Sequence, residues 1–185
     1  MNKVIIFFCL ILLLSGCFKI DKKYESPEYM NLLREIEYEA TQELKKKGLY
    51  LSGIGGGAID CIRIVYLGFS YNKSADVSKA RGLIVLAVET FLKKINSNEK
   101  IRPDLCNYPF AIENVKININ FTKNKKINKK TKSKGVTFVT LKKGMIIYEY
   151  TNFSEMIFEV IESESYNEAK EKITADSKVT DSSSK

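Results

Sequence analysis

The chain has 185 residues, 30 Lys and Arg against 22 Asp and Glu, a formal net charge of +8, and neither His nor Trp. Such a length allows one domain or two, and the absence of His removes Ser-His-Asp triads, Cys-His dyads and His-ligated zinc or haem. The basic excess leaves nucleic acid and membrane as polyanionic partners to be weighed. Only Arg34, Arg63, Arg81 and Arg102 are arginines. A Lys-, Ile- and Asn-rich composition also follows from AT-rich codons, which lowers the weight of any lysine cluster.

Met1-Asn2-Lys3 is a short basic start, and Val4 to Leu14 is an unbroken apolar run of 11 residues. A membrane span needs about 20, so this is the pattern of a secretory signal. A short buried helix is the plain alternative, and Lys3 at its head argues against it. The run ends in Leu14-Ser15-Gly16-Cys17, which resembles the lipobox of bacterial lipoproteins. The resemblance implies that residues 1–16 are a signal peptide removed on export. Cys17 would then carry a diacylglycerol thioether and a palmitate-type acyl group on its new amino end. Phe18, rather than Asp, follows Cys17, which points to the outer membrane in a Gram-negative envelope and otherwise to the cell membrane. Each buried CH₂ contributes ~0.8 kcal/mol, so two or three chains hold a protein where one is marginal.

Residues 17–26 form a tether that reaches at most ~30 Å. Ser26-Pro27 opens a helix, with Ser as the cap and Pro in the first position. Glu28, Glu35, Glu37, Glu39 and Glu43 precede Lys45, Lys46 and Lys47, in the sense of the helix macrodipole, and Gly48 is the stop. Gly53-Ile54-Gly55-Gly56-Gly57-Ala58 matches G-x-G-x-x-A, a phosphate cradle only where it joins a strand to a helix. Here a helix precedes and a strand follows, so the segment reads as a glycine-rich lead-in. Ile59 to Tyr71 is a strand apolar on both faces. Ser74 caps a second helix, Ala75 to about Ile95, whose six apolar residues from Leu83 to Val88 mark it as buried.

Arg81 falls on the apolar side of that helix and needs carboxylates or carbonyls. A structural ion pair is one reading; an anion pocket shared with Arg102 is the other. Arg102-Pro103 and Tyr108-Pro109 mark a loop. Val115, Ile117, Ile119 and Phe121 alternate with polar residues as a half-buried strand. Lys123, Lys125, Lys126, Lys129, Lys130, Lys132 and Lys134 then fall within 12 residues without an acid. No aromatic interleaves them, as single-strand binders require, so nucleic acid is set aside. A solvated loop and a contact with anionic headgroups, about 1 kcal/mol per Lys, stay open. Val136–Leu141 and Met145–Tyr150 flank Lys142-Lys143-Gly144 as a hairpin. Asn152 or Ser154 opens a last helix to about Ile173, and residues 174–185 read as a disordered polar tail.

Cys9 leaves with the signal and Cys17 takes lipid, so Cys61 and Cys106 remain. They form either a disulfide in an oxidising compartment or two buried thiols. A bond would close a loop of about 45 residues, which contributes roughly 3–4 kcal/mol. Two cysteines without His are too few for zinc, and neither a metal nor a cofactor is expected.

These elements give the order α-β-α-β-β-β-α. The expected fold is a single α+β domain over residues 27–173, a two-layer sandwich with a mainly antiparallel four-stranded sheet and about three helices. Ala80-Arg81, Glu89, Ile95-Asn96, Arg102-Pro103, Tyr108-Pro109-Phe110 and the strand ending in Phe121 are together similar to an uncharacterised lipoprotein family of intracellular bacteria, over roughly residues 50–150. That likeness implies an envelope location and brings no activity. The sequence therefore points to a membrane-anchored lipoprotein with a binding or structural role, held by lipid on Cys17, with anionic headgroups or an envelope protein as partner. A polyanion-binding module built on loop 123–134 is the alternative. An enzyme has weak support, because no two carboxylates fall in a cleft pattern.

Overall fold

The computed structural model describes residues 27–58, 60–123, 135–152 and 156–182. The lipobox with Cys17, Ser26, and Lys125, Lys126, Lys129, Lys130, Lys132 and Lys134 lie outside them. Helix α1 covers Glu28–Lys45, with Pro27 at its N-cap and no side-chain cap bond there. It ends at Gly48, whose φ of +87° is left-handed. A Cβ there would also lie 3.2 Å from the Tyr71 ring. Strands β1 (Leu49–Ala58) and β2 (Ile62–Tyr71) follow, then α2 (Val77–Ser97). Asp76, not Ser74, caps α2, accepting from the Lys79 amide at 2.8 Å. Two short 3₁₀ turns, Arg102–Asp104 and Ile112–Asn114, lead to β3 (Val115–Phe121), β4 (Phe138–Lys142), β5 (Met145–Asn152), β6 (Ile157–Ser165) and α3 (Tyr166–Ser182).

The six strands form one sheet in sequence order. Four of the five pairings are antiparallel; β2 and β3 are parallel, joined by the α2 crossover. The expected four-stranded sheet is therefore corrected to a six-stranded mixed one, with α+β and three helices retained. Two strands account for the difference. The glycine-rich stretch is not a lead-in but strand β1, held by its ladder to β2 through two register shifts, between Leu51 and Gly53 and between Gly57 and Ala58. Residues 157–165 are β6, not helix. Their helix-like spacing arises because a bulge opposite Tyr148 and Glu149 breaks the alternation. The last helix starts instead at a reciprocal capping box. The Ser165 amide donates to the Glu168 carboxylate at 2.7 Å, and the Glu168 amide to the Ser165 hydroxyl at 3.2 Å. Helix α3 runs on to Ser182, through most of the segment read as a structureless tail.

One sheet face carries Val65, Leu67 and Phe69 of β2, Ile117 and Ile119 of β3, and Val139 and Leu141 of β4, all buried in register with one another. The helices pack on this face, α1 over β1 and α2 over β3 and β4, with α3 beside α2. Helix α2 is central and buried on most of its circumference. The opposite face shows Tyr66, Lys116, Asn118 and Thr140; the Tyr66 hydroxyl donates to the Asn118 side-chain oxygen at 2.9 Å.

Chain direction gives the domain two poles. The N-terminus of α1, the ends of β1 and β3 at Ala58 and Val115, and the β4–β5 turn at Lys143-Gly144 lie at one. The C-terminus of α1, the ends of β2 and β3 at Tyr71 and Phe121, and the start of α2 lie at the other. At the first pole Cys61 and Cys106, 45 positions apart in the sequence, are joined as a disulfide with Cα atoms 5.1 Å apart. The bond clips the loop after α2 to the start of β2, where Cys106 also donates its amide to the Ile62 carbonyl. Replacing both cysteines by Ser is expected to cost about 3–4 kcal/mol, read as a lower urea midpoint. An unchanged midpoint would mean that the two thiols pack equally well unbonded.

Candidate functional site

The volume beneath the N-terminal half of α1 is set by what β1 lacks. From position 54 that strand reads Ile-Gly-Gly-Gly-Ala, so little side chain fills the gap between helix and sheet. Gly56 is obligatory, because a Cβ there would stand 2.5 Å from the Ile64 carbonyl oxygen. The result is a cleft of about 370 Å³, within the lower range of small-ligand sites. Tyr29, Met30, Leu33 and Ile62 give it apolar walls, the glycine backbone forms one side, and Arg34 and Glu37 add charge.

Glu37 is the unusual member. It follows Leu33 by four positions and precedes Ala40 by three, so the helical period carries it onto the buried stripe of Leu33, Ala40 and Leu44. It is 6% exposed. Its carboxyl makes no hydrogen bond or ion pair among the described residues. Burial pushes its pKa up to about 7, and the charge of nearby Arg34 only partly opposes this. A carboxyl so placed is at once a donor and an acceptor near neutrality, and it gains from a ligand that adds to the partial counter-charge of Arg34. In the sequence Glu37 is one of five acids along this helix. Its place on the Leu33, Ala40, Leu44 stripe was the signal that distinguished it.

The expected site residues fall elsewhere. Arg81 is held by two carboxylates: its Nε donates to Glu164 at 2.6 Å and an outer nitrogen to Glu162 at 3.0 Å. The Tyr148 hydroxyl also donates to Glu164. Lys172 of α3 donates to Glu164 at 2.6 Å and reaches Glu162 at 3.3 Å. Burial works against the charged form of Glu164, but the hydrogen bonds from Arg81, Lys172 and Tyr148 outweigh it and hold the carboxyl below its ordinary range. Burial and the adjoining Glu164 push the Tyr148 hydroxyl far up. This cluster is internally satisfied and belongs to the core.

Arg102 lies beyond the far end of α2, more than about 24 Å of helix from Arg81. It pairs with Glu99 at 3.7 Å and lies 4.8 Å from the Tyr108 ring centre. The two arginines do not share a pocket. In the same loop Phe110 is buried, and Asn96 bonds both its amide and its carbonyl, so this aromatic closes the core. The glycine stretch opens no helix. Lys123 is exposed at the end of β3. Among the described residues no group of His, Cys, Asp or Glu is arranged to hold a metal ion. No helix among them is long and apolar enough to cross a membrane.

Removing one carboxylate from the buried pair leaves Arg81 undercompensated. Glu164→Gln is expected to destabilise by roughly 3–5 kcal/mol, measured by denaturant unfolding at neutral pH; a loss below 1 kcal/mol would show that Glu162 and Lys172 rearrange to compensate. For Glu37 the sign is opposite. Its folded pKa lies above the unfolded one, so the native state binds more protons between about 4.5 and 7. Stability from this group falls as pH rises through that window, and Glu37→Gln should flatten the urea midpoint there. Parallel curves for the two proteins would show that the carboxyl does not titrate near neutrality. No protein-family model, no curated protein and no solved structure matches this chain, so the chemistry of the cleft rests on its own residues.

Proposed function

We propose that this protein is a lipid-anchored envelope lipoprotein whose domain is a binding module. Its cleft between α1 and β1 takes a small apolar ligand bearing an ammonium group for Glu37. The observation that carries the reading is the 6%-exposed Glu37, without a hydrogen bond or ion pair among the described residues, in a cleft whose other walls are apolar apart from Arg34. A buried carboxylate without a partner is costly, and a cationic ligand removes that cost. Arg34, exposed on the same helix, sets the opposite charge at the cleft.

The anchor rests on the lipobox at Leu14–Cys17 and the apolar run before it. Pro27 lines the cleft and stands ten positions after Cys17, so a tether of ~30 Å at most keeps the cleft near the bilayer. The Cys61–Cys106 disulfide suits an oxidising compartment outside the cytosol.

Two measurements test the two halves of the proposal. Cys17→Ala should abolish fatty-acid labelling and release the protein from the membrane fraction; unchanged labelling and partition remove the anchor. For the cleft, 3-methylbutylamine and 3-methylbutanol are titrated calorimetrically into the full chain in neutral detergent. The amine should bind more tightly near pH 6.5 and expel a proton from Glu37, seen as a buffer-dependent heat, and Glu37→Gln should lose both. Equal affinity for amine and alcohol, or binding of neither, overturns the cleft reading.

A further inference from the structure

The opposite pole holds a second concavity, of about 410 Å³, that only the fold assembles. Lys45, Lys46 and Lys47 reach it from the C-terminal end of α1, Lys73 from the turn after β2, and Lys123 from the end of β3. Tyr50 and Asn72 add polar groups to its lining, and no carboxylate lines it. None of the five lysines has an ion pair among the described residues. Three of them suit the negative end of α1. The other two have no such cause, and Lys73 stands just before the positive end of α2, where a cation is disfavoured. Five like charges around one hollow repel one another until an anion enters.

We propose that this basic hollow binds soluble phosphate-bearing anions. Lysine ammonium groups are compact point charges with three donors each and bind phosphate oxygens as such, and five of them around one hollow suit an anion that carries several charges. The position argues for a soluble source over the anchoring bilayer. Helix α1 has 18 residues, about 27 Å, and it separates the hollow from Pro27, where the tether joins the domain. The choice of a soluble source rests on the proposed anchor at Cys17; the hollow itself is independent of the Glu37 cleft and of its ligand.

The test uses inorganic tripolyphosphate as probe, titrated into the full chain in neutral detergent at low and high salt. Binding is expected at low salt and weaker binding at high salt. The triple variant Lys46→Gln, Lys73→Gln, Lys123→Gln should weaken it by about fivefold per lysine, on the order of a hundredfold in all. Lys142→Gln with Lys143→Gln, at the other pole, should change it little. Circular dichroism of each variant checks that the fold is kept. No binding of tripolyphosphate at low salt, or equal losses in the two variants, overturns the proposal. So does lysine-dependent binding to vesicles of phosphatidylcholine and phosphatidylglycerol without binding of tripolyphosphate, since that places the anion at a membrane surface.

Discussion

A guanidinium stays charged in an apolar interior only if carboxylates are brought to it, and the second half of this chain is arranged around that demand. Arg81 lies in the first turns of α2, the helix at the centre of the helical layer, and is itself almost wholly buried. Its partners Glu162 and Glu164 come from β6, the last strand of the sheet. Helix α3 contributes Lys172 to the same two carboxylates. Charge thus sets the register of β6 on β5. With Glu164 on the helix side opposite Ile146, Tyr148 beside them can donate its hydroxyl to that carboxylate. A slip of one residue would turn both acids to the solvent face and strand the arginine.

At the other edge of the sheet the fold tolerates an imperfection, and the imperfection is the cleft. Strand β1 pairs along its whole length with β2, yet its second half offers almost no side chain to the helix above. Close approach of the Ile64 carbonyl keeps Gly56 bare. Helix α1 answers with Leu33 and Ile36 but also with Glu37, where an aliphatic residue would fill the gap and end the question. The contrast with Glu164 is instructive. Both are buried glutamates; one is held low by three donors, the other driven up to about 7 by burial with only Arg34 to oppose. Satisfied charge at one edge builds the core, and unsatisfied charge at the other edge leaves a site.

Legibility in the sequence followed how local the cause was. The β4–β5 hairpin was readable because Lys143 and Gly144, both at positive φ, make the two-residue turn that alternating flanks demand. Strand β3 was readable from its alternation, and α1 from its ends at Pro27 and Gly48. Strand β1 was not, since a run of glycines has no intrinsic preference for a sheet and owes its form to the ladder with β2. Strand β6 was misread because Met156, Ile157, Val160 and Ile161 mimic helical spacing across a bulge at Ile161, opposite Tyr148 and Glu149 of β5. The true start of α3 was written in Ser165-x-x-Glu168, a local signal that the apolar spacing obscured. Arg81 was legible as a residue in need of carboxylates; which carboxylates they were depended on β6 being a strand.

The net charge of +8 also divides along the axis that α1 defines. The helix carries its acids through its length and ends in Lys45, Lys46 and Lys47, and the fold brings Lys73 and Lys123 to that same end. The described residues on either side of the lysine-rich segment, Lys123 after β3 and Val136 bonded to the Ala75 carbonyl, stand at that same pole, which is basic without it. Pro27, the first described residue, lies at the opposite end and lines the Glu37 cleft. Lys123, the first residue of the segment that the sequence left open between a solvated loop and a headgroup contact, therefore stands at the pole opposite Pro27. The two poles differ in what lines them: a mostly apolar cleft that carries Glu37 and Arg34 at one, and five lysines without a carboxylate at the other.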